Sequence, residues 1–573
     1  MIYINNNMSQ YKILVEDRQY NDWSLFNSNT LLEVNKLEDI DPINSKLFNA
    51  DIFEYINNKV NVIHSCVRNT KSIPGVLVLN NKTYGKYSNN RYLYKCIPDD
   101  KRLPIFLVPY TDKRSSFSKV ETNKYITIKY KNWDNKHPIG VIEQNLGDVN
   151  TLDNFYEYQL YCKSLNSSIQ GFTRDTSNAL KQKTQDEYIK HILHEHPNIE
   201  NKCDFKNIFT IDSNNAMDYD DAVSIKINDD NTKTICVYIS NVTLWMDILN
   251  LWDSFSNRIS TIYLPDRKRP MLPTILSDCL CSLQENRIRF AFTINIIIQD
   301  DKIINIYFNN TAIKVFKNFT YEENDLLNFE PYNQLKETLQ KILNNHKYIP
   351  KIKNSYDVIT YLMILMNHES AKKMYTHKNG IYRSAITTSK VIIPDNLPED
   401  VYKYLYNWNN ISGQYIINIP ESHELLDLES YLHITSPIRR LVDLLNIIKF
   451  QLNENMIILR DSAKNFYDKW TDQLEYINIT MRAIRKVQSD CNLLELCTKK
   501  ASLLNKLFDG YVFDKLIRND GLYQYIVYLP ELKLTSRITT RFEKTNYSCN
   551  KFKIYIFIDS DKLKQKIRLQ LIE

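Results

Sequence analysis

Asp212, Asp218, Asp220 and Asp221 lie in one short run, Asp212-Ser213-Asn214-Asn215-Ala216-Met217-Asp218-Tyr219-Asp220-Asp221. Carboxylates this close in sequence repel one another once folded together, unless a hard cation neutralises them. An all-oxygen donor set of this kind suits magnesium. If the run enters or leaves a strand, the period of two places Asp218 and Asp220 on one face, with Asp212 and Asp221 approaching from a turn. Such a cup can hold a pair of ions against a phosphate. A solvated acidic loop is the plain alternative for a cluster that stands alone.

A second group is cationic. In Thr435-Ser436-Pro437-Ile438-Arg439-Arg440 the Ser-Pro pair suits a helix start, with Ser436 as cap and Pro437 at the first helical position. Two arginines in the first turn oppose the positive end of that helix, which is explicable if an anion sits nearby. Between residues 101 and 136 nine basic residues (Lys101, Arg102, Lys113, Arg114, Lys119, Lys124, Lys129, Lys131, Lys136) face three acids. Phe106, Tyr110, Phe117, Tyr125, Tyr130 and Trp133 interleave with them. Charge for phosphates plus aromatic faces for bases is what single-strand binding requires, although the same aromatics can equally fill a barrel core.

These groups need a scaffold of several domains, since a single core seldom grows beyond about 300 residues and the chain has 573. Residues 1–50 form an N-terminal extension without a readable motif. Short apolar runs predict a small β domain over 51–100 and a second one over 101–165. Residues 166–205 read as a helical connector; His191 and His194 within it lack further ligands, and Pro197 ends that helix. Residues 206–490 carry strands first and helices later, with helical spacing over Tyr356–Met374 and Ile438–Leu452. Residues 505–573 read as about five strands.

Composition bounds the rest. Hydrophobic residues make up 43% and charged residues 24%, with 9 Gly, so collagen-like and flexible-linker readings fail. A net charge of +6 is mild, and placement of the cations matters more than their sum. The 10 cysteines have no Cys-x-x-Cys spacing and are expected to be reduced. Neither a secretory signal nor an apolar run of about 18 residues appears, so a soluble, intracellular, cytoplasmic protein without membrane contact is expected.

The aspartate run resembles the signature of the RNB family of hydrolytic exoribonucleases, with Ser213 where that family has proline. Two further blocks resemble the family in the same order: Tyr263-Leu264-Pro265-Asp266-Arg267-Lys268-Arg269-Pro270-Met271-Leu272-Pro273, continuing to Leu283, and Tyr431-Leu432-His433-Ile434-Thr435-Ser436-Pro437-Ile438-Arg439-Arg440. The resemblance covers roughly residues 100–490. It implies an α+β multidomain fold of N-terminal cold-shock-type OB barrels, a central RNB catalytic domain and a degenerate C-terminal OB barrel, closest to the exosome type without its endonuclease domain.

By resemblance Asp212, Asp218, Asp220 and Asp221 hold one or two Mg2+ ions, with Mn2+ as a substitute. Asp220 and Arg439 are the catalytic pair, and Tyr263, Tyr321 and Arg440 bind substrate, with Arg440 alternatively pairing with an acid inside the domain. The implied activity is 3′ to 5′ degradation of single-stranded RNA to nucleoside 5′-monophosphates by a monomer that does not join an exosome-type ring. The rival expectation is a catalytically weak or silent RNA-binding subunit on the same fold. Departures from the family fall on Ser240-Asn241, where it has Ala-Asp, on Tyr361, where it has an acid, and on Leu343-Asn344-Asn345-His346, which runs to the next helix without the family's hairpin insertion. These departures bear on grip and processivity more than on metal chemistry.

Overall fold

The computed structural model describes residues 10–572 apart from 38, 81, 88–90, 112–121, 344–348, 350, 386–391, 410–412, 421, 424 and 425. Of the basic and aromatic stretch, Lys113, Arg114, Phe117 and Lys119 lie outside the described residues, as do Asn344, Asn345 and His346. The chain divides into two compact units, one of residues 1–166, 264–266 and 486–573, the other of residues 167–263 and 267–485. The whole is an α+β multidomain protein.

The first unit holds three β structures. Strands Gln10–Val15, Trp23–Asn27, Glu33–Val34, Ile52–Ile56 and Lys59–His64 make an antiparallel sheet, around a core of Ile13, Val15, Leu25, Leu47 and Phe53. Strands Ile73–Val78, Tyr92–Pro98, Phe106–Tyr110, Lys124–Asn132 and Ile139–Asp148 close into a barrel. A boundary at residue 100 therefore cuts through this barrel, and strands from residues 1–50 join those at 52–64. The cause is long-range pairing: Ile73–Val78 pairs with both Tyr92–Pro98 and Lys124–Asn132, and local apolar patterning carries no trace of the second partner.

Phe106, Ile126, Ile128 and Trp133 fill the barrel, while Tyr125 stacks on Tyr158 of the following helix at 4.3 Å between centroids. At these positions the core reading of the aromatics applies. The C-terminal strands Leu507–Ile517, Tyr523–Leu529, Leu534–Thr540, Cys549–Ile558 and Gln565–Ile572 form a five-stranded antiparallel sheet. Its hydrogen-bonded ladder, unlike that of the barrel, is not closed.

The second unit is built on a seven-stranded mixed sheet in the order Glu200–Lys202, Lys302–Lys314, Ile288–Gln299, Lys233–Ser240, Asp221–Ile227, Phe209–Asp212 and Lys317–Thr320. Both faces are covered. Along Lys233–Ser240, Ile235, Val237 and Ile239 enter one core with the helices Glu330–Ile342, Ser355–Thr376 and Leu441–Asn453, while Cys236 and Tyr238 enter a second core with Ile313 and Val315. Burial on both sides is why this strand shows no polar alternation.

The helix Ser355–Thr376 starts where the sequence predicts one, because Asn354 and Asp357 form a reciprocal capping box. Tyr361 lies inside its core rather than at a polar surface. No helix among the described residues is long and apolar enough to cross a membrane.

Candidate active site

Asp212 ends the strand Phe209–Asp212, which runs parallel to Lys317–Thr320 with Asp212 opposite Thr320. The chain then turns, and Ser282 clamps that turn by accepting the Tyr219 N–H (3.1 Å) and donating to the Met217 carbonyl (2.8 Å). Asp221 opens the next strand, Asp221–Ile227, opposite Ile239. The aspartates thus come from the end of one strand, the turn, and the start of its antiparallel neighbour, rather than from one alternating strand face.

Their environments differ. Asp220 is 3% exposed; its Oδ1 accepts the Ile438 N–H at 2.9 Å and its Oδ2 lies 3.1 Å from Arg439 Nε. Asp218 has both oxygens engaged, Oδ2 by the Tyr263 hydroxyl at 3.0 Å and Oδ1 by Lys268 Nζ at 3.1 Å. Asp212 Oδ2 is buried with no hydrogen-bond partner among the described residues.

Burial dominates the titration of three of these acids. Asp220 is pushed up to about 8, because desolvation outweighs Arg439 and the Ile438 N–H. Asp212 and Asp221 are raised as well, chiefly by burial; mutual repulsion adds to the shift, Arg439 opposes it at both, and Thr210 also opposes it at Asp212. Among the described residues no three acidic, histidine or cysteine side chains already form a cage for an ion. The donor chemistry nevertheless fits a hard divalent cation: clustered carboxylates, raised toward protonation, with one buried oxygen lacking any donor.

The arginine segment is not a helix start. Residues 436–440 form a turn in which the Arg439 and Arg440 N–H groups both donate to the Ser436 carbonyl, and the helix begins at Leu441 with Arg440 at its cap. The backbone here is used by residues 259–261 instead: Thr261 N–H donates to the Arg439 carbonyl (2.9 Å) and Leu441 N–H to the Ile259 carbonyl (2.9 Å). This pairing aims the Ile438 N–H and the half-exposed Arg439 guanidinium at Asp220.

Arg440 goes elsewhere. It holds Asp443 with two contacts of 2.9 Å, and the same carboxylate accepts the Ser436 N–H at 2.7 Å. Arg440 thus pairs with an acid inside the domain, the second of the two roles its position allowed, and braces the turn. Asp443 was missed at the sequence level; its spacing of three from Arg440 in the first helical turn was the available signal.

The two tyrosines flank the acids. Tyr263 reaches Asp218. Tyr321 follows the strand partner of Asp212, its N–H donating to the Asp212 carbonyl at 3.0 Å, and its ring lies 5.5 Å from that of Tyr356. Its hydroxyl is raised by burial and by Asp221 and Asp212. Lys268 and Asp278, which the motif reading contained without a role, also belong here: Lys268 Nζ lies 2.9 Å from Asp278.

Residues 201–356 match the RNB domain model and residues 93–157 the Dis3-like cold-shock domain 2 model. The chain is 30% identical over 241 residues to DIS3-like exonuclease 2 of Schizosaccharomyces pombe, a match that takes in 40% of this chain and only 25% of that relative. In fold it is similar to Mycoplasma genitalium RNase R, solved with ribose-methylated single-stranded RNA, at a TM-score of 0.65 and 15% identity over 98% of this chain and 100% of the other. It is also similar to yeast Ssd1, described as a pseudonuclease, at a TM-score of 0.61 and 15% identity over 95% of this chain and 81% of the other.

Proposed function

We propose that this chain, which carries an RNB domain and so belongs with the RNB family, is a divalent-metal-dependent 3′ to 5′ exoribonuclease that degrades single-stranded RNA to nucleoside 5′-monophosphates. The observation that carries the reading is the convergence of Arg439 and the Ile438 N–H on buried Asp220 beside three further aspartates, at least one with an unpartnered oxygen. Three carboxylates raised by burial around one arginine cost stability unless a further cation joins them.

Asp212, Asp218, Asp220 and Asp221 are the residues that would hold Mg2+, which supplies charge neutralisation at the scissile phosphate and an activated water. The chain's own groups do the positioning. Ile438 N–H and Arg439 fix the Asp220 carboxylate, and the exposed part of Arg439 offers a cation to the phosphate. Tyr263 is 40% exposed, which leaves ring surface for stacking on a terminal base with little sequence preference.

One observation favours the silent alternative: Asp218 is already held by Lys268 and Tyr263. The two readings separate in a time course on 3′-labelled and 5′-labelled single-stranded RNA with Mg2+, comparing wild type with Asp220→Asn. Release of labelled mononucleotide from the 3′ end at once, lost by a factor of about 100 or more in the variant while RNA binding persists, supports the enzyme. RNA binding without Mg2+-dependent cleavage by the wild type leaves the binding protein.

A further inference from the structure

The aspartate cluster has a neighbour that behaves as a cation built into the chain. Tyr263 and Lys268 are opposite each other in the short hairpin of Ile262–Tyr263 and Lys268–Arg269, and this single rung occupies both oxygens of Asp218. Lys268 Nζ bridges Asp218 (3.1 Å) and Asp278 (2.9 Å), with all three side chains largely shielded from water at 24%, 10% and 13% exposure. Asp278 is itself held in place, its Oδ1 accepting the Ser277 hydroxyl at 2.6 Å and its backbone carbonyl accepting the Gln284 side-chain amide at 2.6 Å.

We infer that Lys268 is a tethered counter-ion that competes with the divalent cation for Asp218, and that Asp278 is the partner on which it rests when the cation binds. This inference rests on the metal-dependent reading above. An ammonium and a divalent ion cannot share one carboxylate oxygen at close range, since their repulsion adds to the geometric clash. The ion can therefore take Oδ1 of Asp218 only if the ammonium withdraws, and at Oδ2 it meets both the Tyr263 hydroxyl and the repulsion of the nearby ammonium. A lysine suits that exchange: its charge sits at the end of a flexible four-carbon stem, and the second carboxylate keeps it neutralised after it leaves.

The lysine engages the carboxylate at position 218 as the chain's own cation. Its effect is to hold the acid cluster together without metal while raising the metal concentration needed to fill it.

The test is calorimetric titration of Mg2+ into the full chain without RNA, for wild type, Lys268→Met and Asp278→Asn, with thermal unfolding in chelator to establish that each is folded. Lys268→Met should bind Mg2+ about fivefold tighter, the effect of removing one partly buried ion pair of about 1 kcal/mol. Asp278→Asn should bind it about fivefold more weakly, because Lys268 then has Asp218 alone. Opposite signs for two partners of one lysine are not produced by a merely structural role.

Unchanged or weaker binding by Lys268→Met overturns the inference and leaves the metal-dependent reading standing. Failure of both wild type and Lys268→Met to bind Mg2+ overturns both. If Lys268→Met does not fold, Asp278→Asn decides alone, and unchanged or tighter binding by it overturns the inference.

Discussion

Asp99 in the first unit and Asp212, Asp220 and Asp221 in the second are all carboxylates withdrawn from water, and their surroundings differ in one respect. Asp99, 7% exposed, lies between two lysines, Oδ1 at 2.7 Å from Lys564 and Oδ2 at 3.3 Å from Lys562. Burial alone would raise it, but the lysines outweigh burial and hold the carboxyl below its usual value. In the second unit burial prevails, and one arginine stands against three desolvated acids. Asp99 has its desolvation offset by its own lysines, whereas Asp212, Asp220 and Asp221 are left short of positive charge, as the proposed cation site requires. Asp443 shows that the second unit also pairs an acid directly with a cation, through Arg440 and the Ser436 N–H, where the contact braces a turn.

That contrast is sharpened most by Asp443→Ala. The variant strands a buried arginine and frees the Ser436–Arg440 turn, so stability should fall by about 3–5 kcal/mol in urea unfolding. In a background that remains folded, RNA cleavage should fall far more than RNA binding, because Ile438 and Arg439 lose their aim at Asp220. Equal losses of binding and cleavage would show that the turn does not position the site.

Asp99→Asn comes next, with an expected loss of about 2–3 kcal/mol, since it leaves Lys564 buried and unpaired. Because the folded pKa of Asp99 is depressed, its contribution is complete above the unfolded value and is lost as pH falls below about 4. The wild type should therefore lose more stability than the variant does as pH falls below about 4. Parallel acid profiles would break the comparison on the structural side.

The smallest effect has the opposite sign. Asp212→Asn removes an unneutralised buried charge, so in chelator it should stabilise the protein by about 1 kcal/mol, read as a rise in Tm. Mg2+ should raise the Tm of the wild type and not that of the variant. A destabilised Asp212→Asn in chelator would mean that Asp212 is offset by positive charge of its own, as Asp99 is.

Much of this was legible in local pattern. The capping box at Asn354 and Asp357, the five C-terminal strands and the aspartate run are set by neighbours within a few residues, the range over which periodicity and capping act. The start of the helix at Leu441 was not, because Ser-Pro is a good local start that was overruled by the pairing of residues 259–261 with 439–441. The barrel of residues 73–148 was split at 100 for the same reason: its closure depends on strands far apart in the chain.

The sequence by itself determined which chemical groups are available: four aspartates, an arginine pair and two tyrosines, in three blocks whose order resembles that of the RNB family. Only the tertiary structure decided their employment. Asp220 meets Ile438 across 218 residues, Arg440 turns inward to Asp443, and Lys268 is brought onto Asp218 by its hairpin. Side-chain type is written at one position, but the neutralisation of a buried charge depends on which distant backbone and side chains the fold delivers to it, and no local period encodes that.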